Sequence, residues 1–350
     1  MKKVLFTGGG SAGHVLPNVA LIEEILSTGE ADVCYMGTNG IEKRLISEWK
    51  IPFHEITCPK LIRSKSWASL KSNLKIPSEF IQSVKQATVG LEQFKPDVVF
   101  SKGGYVSLPV VFAARKLGIP CFSHESDFSV GLANKLLAGK CKYVFTSFPE
   151  TATRIRNGKY SGALIRSNIF SCTKAEARRK MDIPFNAKVL LIFGGGSGSV
   201  SLNEAVRTHL KTLTESYVVL HVCGKGKSMD SNLKNYRQFE FVSDMGTMYA
   251  CADLVISRSG AGTIFEILAL KKPSVLVPLE NQTRGDQIEN AEYFSNKGLC
   301  YVLREKDLHL LPSKVEKALR DESLKERLLS SSFSSGNQNI LREIRALLKK

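Results

Sequence analysis

The sequence of 350 residues has no apolar run near the ~20 residues that a membrane-spanning helix needs. Its eight cysteines never form a Cys-x-x-Cys pair, so neither a zinc site nor a secreted disulfide framework is expected. A strand pattern begins at Lys2, which leaves no room for a signal peptide. These absences favour a soluble protein of a reducing cytoplasm.

Acidic residues are also scarce, with 33 Asp and Glu against 49 Lys and Arg, and the net charge is +16. Such an excess indicates anionic partners, which include phosphates, nucleic acid and an anionic membrane surface. A well-solvated basic surface is the alternative interpretation. Net charge alone does not choose between them.

Hydrophobic residues make up 43% of the chain and are grouped in short runs that alternate with helical patterns. This alternation predicts an α/β protein with doubly wound parallel sheets. The pattern breaks at residues 157–168, so we expect two Rossmann-like domains, 1–160 and 161–329, facing one cleft. Residues 330–350 are predicted to be a connector and a final helix that packs back on the first domain. The predicted strands are 2–7, 32–36, 53–57, 97–101, 120–124 and 143–147, then 188–193, 217–222, 238–242, 254–257, 274–277 and 300–303.

A glycine-rich turn follows the first strand of each predicted domain, at residues 8–14 and at residues 194–199. Glycine lets the backbone turn sharply and approach a ligand, and the N–H groups of the following helix favour anions. Two such turns predict one domain for a donor and one for an acceptor. The first turn also fits a dinucleotide-binding pattern, but the second strand ends at residues 34–38 without the carboxylate that would hold an NAD ribose. An NAD-dependent oxidoreductase is therefore disfavoured.

Three further side chains are candidates for chemistry. His14 ends the first turn, where its imidazole suits a general base, although it could instead cap a helix that begins near Pro17. Glu266 lies one turn into a helix after residues 258–262, where it could accept two ribose hydroxyls or simply complement the helix dipole. Gln287 suits sugar hydroxyls, and a solvated helix face is the alternative.

Together these stretches resemble glycosyltransferase family 28, whose members have the GT-B fold. The resemblance rests on the following segments: GGGSAGHVLPNVAL at 8–21, KPDVVFSKGGYVSLP at 95–109, HESD at 124–127, GLANK at 131–135, GGGSGS at 194–199, RSGAGTIFE at 258–266 and DQIENA at 286–291. It implies an inverting hexosyltransferase that moves GlcNAc from UDP-GlcNAc to undecaprenyl-pyrophosphoryl-MurNAc-pentapeptide, converting lipid I to lipid II. Such an enzyme serves peptidoglycan synthesis, and through it cell wall biogenesis, cell shape and cell division.

The resemblance also implies roles for particular residues. The base is His14, with Glu125 as the second candidate. The substrate-binding residues are Ser11, Ala12, Gly13, Asp127, Arg166, Ser197, Met245, Gly262, Thr263, Glu266 and Gln287. The resemblance implies that Ser11, Ala12 and Gly13 contact the diphosphate or the donor sugar and that Asp127 contacts a sugar. Arg166 and Ser197 would bind the UDP phosphates, and Gly262 and Thr263 the diphosphate. Met245 would contact uracil, Glu266 the ribose and Gln287 the GlcNAc.

Four segments depart from the family pattern. The first turn reads GGGSAGH where GGTGGH is usual, residues 162–166 keep only the Gly and Arg of GNPVR, the second turn reads GGGSGSV where GGSQGA is usual, and HESD replaces HEQN. The last change puts a carboxylate at Asp127 in place of an amide. A divergent paralogue that uses diacylglycerol or another prenyl-diphosphate sugar as acceptor is therefore one alternative. A basic nucleotide- or nucleic-acid-binding protein is another, although no aromatic platform or nucleic-acid motif supports it.

The stretch between Glu55 and Glu79 contains basic and apolar residues and no acid. Its cations are Lys60, Arg63, Lys65, Lys71 and Lys75. At ~1 kcal/mol per basic residue this mixture suits an anionic bilayer, and a solvated helix is the alternative. We expect peripheral binding at the cytoplasmic face of a bacterial membrane, with no nucleic acid as partner. The sequence offers no clear Asp-x-Asp pair, so no metal or other cofactor is expected.

Overall fold

The computed structural model describes residues 1–60, 73–196, 198–280, 285–333 and 335–349. Contacts within the chain divide it into two compact units. Unit 1 comprises residues 1–166 and 335–350, and unit 2 comprises residues 167–334. Each unit is built on one parallel sheet, which confirms the predicted α/β fold class.

Unit 1 contains a seven-stranded parallel sheet in the order β3-β2-β1-β4-β5-β6-β7. The strands are β1 Lys3–Thr7, β2 Asp32–Gly37, β3 Phe53–Glu55, β4 Val98–Ser101, β5 Cys121–Glu125, β6 Tyr143–Thr146 and β7 Gly158–Tyr160. The helices described before residue 166 are α1 Ala12–Thr28, α2 Ile41–Ile46, α3 Ile76–Phe94, α4 Ser107–Lys116, α5 Leu132–Leu137 and α6 Pro149–Thr153. Alternate residues of β1 enter separate cores on the two faces, Phe6 on one side and Leu5 on the other. Side chains that alternate in this way are expected for a strand covered on both faces.

Helix α1 begins at Ala12, five residues before the start suggested by Pro17. Proline usually marks the first turn of a helix, which is why the sequence favoured the later start. Here Pro17 lies inside the helix, where it has no N–H to donate to the Gly13 carbonyl. His14 consequently lies in the first turn of α1 and does not cap a later helix.

Unit 2 contains a six-stranded parallel sheet in the order β10-β9-β8-β11-β12-β13. The strands are β8 Val189–Phe193, β9 Val218–Val222, β10 Tyr236–Phe239, β11 Leu254–Ser257, β12 Ser274–Leu276 and β13 Tyr301–Val302. The helices are α7 Lys174–Lys180, α8 Val200–Thr208, α9 Leu210–Ser216, α10 Met245–Cys251, α11 Ala261–Ala269, α12 Asp286–Asn296, α13 Leu311–Arg320 and α14 Glu322–Ser330. Strand β10 ends at Phe239, earlier than predicted, because Phe239 pairs with Val222 at the end of β9.

The last helix, α15 (Asn337–Leu348), belongs to unit 1. Its Ile340, Leu341 and Ile344 are fully buried in the same core as Phe6. The Arg345 guanidinium pairs with the Glu30 carboxylate, with nitrogen–oxygen distances of 2.7 and 2.9 Å. No helix among the described residues is both long enough and apolar enough to cross a membrane.

Candidate active site

Two buried side chains hold the beginning of the first glycine turn. The Tyr35 hydroxyl donates to the Gly8 carbonyl oxygen at 2.6 Å. The Asn18 amide donates to the Thr7 carbonyl oxygen at 3.1 Å and to the Tyr35 hydroxyl at 3.2 Å. Gly8 and Gly10 have φ angles of 153° and 80°, in the region that favours glycine. The turn is therefore fixed by hydrogen bonds from α1 and β2 to its backbone.

Glu42 holds the other side of the same turn. Its fully buried carboxylate accepts hydrogen bonds from the Gly10 amide at 3.2 Å and from the Thr38 amide at 2.9 Å. A Cβ atom at Gly9 would lie 2.6 Å from this carboxylate, so no other residue fits there without a rearrangement. Sequence reasoning did not identify Glu42, because nothing local links a residue of α2 to the turn.

The imidazole of His14 lies against two neighbouring backbone segments. Its Nδ1 is 2.9 Å from the Ser11 hydroxyl, which orients the ring. Gly104 follows β4 with a φ of 78°, and a Cβ atom there would lie 3.2 Å from Nδ1 and 2.9 Å from the Gly9 carbonyl oxygen. The loop after β4 thus approaches the first glycine turn so closely that only glycine fits at position 104, and it limits the positions that the His14 ring can take.

Glu125, the second candidate base, is engaged by three donors. Its carboxylate accepts hydrogen bonds from the Asp127 amide at 3.2 Å, the Gly131 amide at 2.8 Å and the Asn134 side chain at 2.9 Å. Only 5% of the residue is exposed. This geometry suits a residue that shapes the loop at 125–131, and Asp127 lies half-buried on that loop.

Lys102 is a buried cation beside this loop, immediately after β4. It is 2% exposed, and burial lowers the pKa of its ammonium group, while the charges of Glu125 and Asp127 act in the opposite direction. Burial and the Lys102 charge also hold the pKa of His124 well below its usual value, so that imidazole is neutral. The His124 Nε2 lies 3.3 Å from the Gly162 carbonyl oxygen, as a structural contact.

The second glycine turn, between β8 and α8, is shaped by sterics at two positions. A Cβ atom at Gly194 would lie 2.4 Å from the Ser199 Cβ, and one at Gly198 would lie 2.1 Å from the Cys223 carbonyl oxygen. At Gly196 the added atom would meet nothing within 4 Å in the described part of the chain. Ser199 is the N-cap of α8, since its hydroxyl accepts from the Leu202 amide at 3.4 Å. Ser197 lies outside the described residues.

Arg258, at the end of β11, connects this turn to neighbouring strand ends. It is 7% exposed. Its guanidinium donates to the Ser199 hydroxyl at 3.0 Å, the Ser201 hydroxyl at 2.7 Å, the Val277 and Pro278 carbonyl oxygens at 3.2 and 3.1 Å, and the Glu305 carboxylate at 2.5 Å. The sequence signalled only a basic residue after a buried strand. Its structural role is to brace the second glycine turn.

Glu266 lies in the second turn of α11, half-buried, and Gly262 and Thr263 lie in the first turn. The Glu266 carboxylate accepts a hydrogen bond from the Tyr249 hydroxyl at 3.0 Å. A Cβ atom at Gly262 would meet no described atom within 4 Å. The amino end of α11 thus presents N–H groups beside a carboxylate that is already oriented.

The two remaining predicted donor contacts of unit 2 lie at helix starts. Gln287 is in the first turn of α12, where its side-chain oxygen accepts from the Leu279 amide at 3.1 Å. Met245 is the first residue of α10 and follows its N-cap, Asp244. Hydrogen bonds from Lys180 and Thr247 lower the pKa of the Asp244 carboxyl to about 2, so the cap stays ionised.

The predicted residues therefore fall into two groups by unit. Ser11, Ala12, Gly13, His14, Glu125 and Asp127 lie at the carboxyl ends of β1 and β5, which flank β4 in the sheet, or just beyond them. Arg166 is the last residue before unit 2. The group in unit 2 contains Met245, Gly262, Thr263, Glu266 and Gln287. Ligands of open parallel sheets bind at this end of the strands. Among the described residues, no cluster of His, Cys, Asp or Glu is arranged to hold a metal ion.

Two α/β units, each with a glycine turn leading into a helix, make up the fold that this chain shares with solved glycosyltransferases of the GT-B class. Residues 4–146 match the model of the glycosyltransferase family 28 N-terminal domain, and residues 189–344 match that of the family 28 C-terminal domain. The chain belongs to glycosyltransferase family 28 and is a transferase.

The chain is similar to several known proteins over nearly its whole length. It is 42% identical to a protein of Clostridium perfringens strain SM101, over 99% of this chain and 98% of the relative. It is 42% identical to a protein of Oceanobacillus iheyensis over 93% of this chain and 94% of the relative. Both are named UDP-N-acetylglucosamine--N-acetylmuramyl-(pentapeptide) pyrophosphoryl-undecaprenol N-acetylglucosamine transferase. The crystal structure of Acinetobacter baumannii MurG superposes with a TM-score of 0.74 at 25% identity, covering 99% of this chain and 100% of the other.

Proposed function

We propose that this protein transfers N-acetylglucosamine from UDP-N-acetylglucosamine to undecaprenyl-pyrophosphoryl-N-acetylmuramyl-pentapeptide, the step that forms lipid II in peptidoglycan synthesis. One observation carries the proposal: the name of the Clostridium perfringens relative, which states this acceptor and this sugar donor, at 42% identity over 99% of the chain. The geometry of both glycine turns supports it.

The donor is assigned to unit 2. Its diphosphate binds at the amino ends of α8 and α11, where the N–H groups of a helix N-terminus favour anions. A Cβ atom at Gly196 or Gly262 would meet no atom within 4 Å in the described part of the chain, so packing within the protein does not explain why these residues are glycine. Close approach of a ligand to the backbone explains it. Glu266 then accepts the ribose hydroxyls, Met245 contacts uracil and Gln287 contacts the sugar.

The acceptor and the base are assigned to unit 1. His14 removes the proton from the acceptor hydroxyl as the acceptor oxygen forms its bond to the sugar C1, and the bond from C1 to the UDP oxygen breaks. The departing UDP carries the negative charge, which Arg166 and the helix N-termini stabilise. The 2.9 Å contact between Ser11 and the His14 Nδ1 supports this role, because it holds the ring in one orientation. Glu125 is assigned to loop positioning and Asp127 to sugar contact.

Peripheral membrane binding is part of the proposal. Lys60 and Lys75 are exposed, and the apolar Leu74 and Ile81 are exposed to 80% and 59%. Exposed cations beside exposed apolar side chains suit an anionic bilayer surface. The other basic residues of the predicted membrane stretch, Arg63, Lys65 and Lys71, lie outside the described residues.

Vesicle co-sedimentation tests the membrane assignment. Replacing Lys65, Lys71 and Lys75 together with glutamate should release the protein from vesicles of anionic lipid, while UDP affinity stays at the parental value. A matched control replaces three exposed lysines of unit 2, Lys211, Lys234 and Lys306, with glutamate and should sediment with the vesicles like the parent. Equal sedimentation of the first variant and the parent, at low and at high salt, contradicts the assignment.

The acceptor is tested by incubating the protein with radiolabelled UDP-N-acetylglucosamine and one lipid at a time. Label should enter the lipid fraction with lipid I, and not with diacylglycerol or undecaprenyl phosphate. Transfer to either control lipid in place of lipid I would refute the proposed acceptor and favour a divergent paralogue. Because the sequence offers no clear metal-binding acid pair, we also propose that no metal is needed, and transfer should continue in the presence of a chelator.

A further inference from the structure

Tyr249 is a buried tyrosine at the centre of the predicted donor-binding elements of unit 2. It is 1% exposed. Its ring packs edge-on against Phe193, the last residue of β8, with ring centroids 5.9 Å apart and planes at 76°. Its hydroxyl donates to the Glu266 carboxylate at 3.0 Å. A buried tyrosine hydroxyl needs a polar partner, and here that partner is the residue proposed to hold the ribose.

The position of Tyr249 connects three segments that are otherwise far apart in sequence. Phe193 leads directly into the second glycine turn. Met245, the proposed uracil contact, is four residues before Tyr249 on α10, so the two lie one helical turn apart on the same face. Glu266 is on α11. Tyr249, on α10, therefore contacts both Phe193, just before the proposed diphosphate turn, and Glu266, the proposed ribose ligand.

We propose that Tyr249 is a positioning residue for nucleoside recognition: it fixes the Glu266 carboxylate in the orientation that accepts the ribose hydroxyls. The inference rests on the proposed function, since it concerns the same UDP-sugar site. Holding the Glu266 side chain in one rotamer should increase affinity for the two ribose hydroxyls, because less side-chain entropy is then lost when the ligand binds. A charge-assisted hydrogen bond from a buried, ring-packed donor provides that restraint.

The test is calorimetry on Tyr249→Phe with two ligands, UDP and 2′,3′-dideoxy-UDP. The variant keeps the ring and removes only the hydroxyl. UDP affinity should fall by about tenfold, the effect of losing one charge-assisted hydrogen bond, while dideoxy-UDP affinity stays unchanged because no ribose hydroxyl remains to be bound. The matched control is Tyr236→Phe in the same unit, whose hydroxyl lies 2.9 Å from the His221 Nδ1, away from the site. It should keep the parental ratio of the two affinities.

A second arm separates positioning from a general effect on folding. In a Glu266→Ala background, adding Tyr249→Phe should cause no further loss of UDP affinity, whereas a structural role of the tyrosine predicts a further loss. An unchanged ratio of UDP to dideoxy-UDP affinity in Tyr249→Phe overturns the role of Tyr249 alone. A parent protein that binds neither ligand overturns the proposed donor site and this inference with it.

Discussion

Replacing Arg258 with alanine tests whether the second glycine turn depends on the strand ends around it. The guanidinium pairs with the Glu305 carboxylate at 2.5 Å, and the two side chains are only 8% and 20% exposed. Breaking such a pair by removing one partner costs about 3–5 kcal/mol, because the Glu305 carboxylate keeps its hydrogen bond from the Ser201 hydroxyl but loses the opposite charge. The Val277 and Pro278 carbonyl oxygens also lose their arginine donor. We therefore expect a loss of about 3–5 kcal/mol in the stability of unit 2.

Hydrogen exchange resolved by peptide is the suitable assay, because it reports on residues 167–334 separately from unit 1. Amides of β8 and β11 should lose protection in Arg258→Ala, and UDP affinity should fall. Arg258→Lys keeps the charge but not the planar fork, so it should lie between the parent and the alanine variant. The control is Arg320→Ala, which removes an exposed pair with Glu316 at 2.7 Å and should leave protection unchanged. Parental protection and UDP affinity in Arg258→Ala would refute the reasoning.

Two further predictions concern catalysis and pH. His14→Ala should lower kcat by ~10²–10⁴ and remove the acidic limb of the pH–rate profile, while UDP-GlcNAc affinity stays parental; a near-parental kcat would show that His14 is not the base. Burial, assisted by the charge of Lys174, lowers the pKa of Lys272 from 10.5 to about 8. The unfolded chain therefore binds more protons between these two pH values, and the free energy of unfolding of the parent should rise relative to Lys272→Met as pH increases from 8 to 10.5. Parallel stability curves for parent and variant in urea titrations would contradict this assignment.

Much of the fold follows from local pattern. Strand β11 lies where the apolar run at 254–257 predicts it, because all four of its residues are buried and it pairs with β8 and β12. Strand β7 was not predicted, since Gly158–Tyr160 is short and has no buried residue. Only its pairing with β6 makes it a strand. Edge strands of this kind depend on a partner that local composition does not reveal.

The candidate site was predictable where a motif is contiguous, as for the glycine turns with His14 and for the helix start with Glu266. The residues that hold these turns were not predictable. Glu42 reaches Gly10 across 32 residues of sequence, and Arg258 reaches Ser199 across 59. Such contacts arise from the order of strands in the sheet, and a single sequence does not show which distant polar residue meets which turn.

The return of α15 to unit 1 has a consequence for the order of synthesis. A ribosome makes the chain from its amino end, so residues 1–166 emerge well before Ile340, Leu341 and Ile344 are made. Until then the face of the first sheet that carries Val4 and Phe6 lacks part of its cover. The newborn protein therefore carries a patch of uncovered apolar surface for the time needed to make about half of its length.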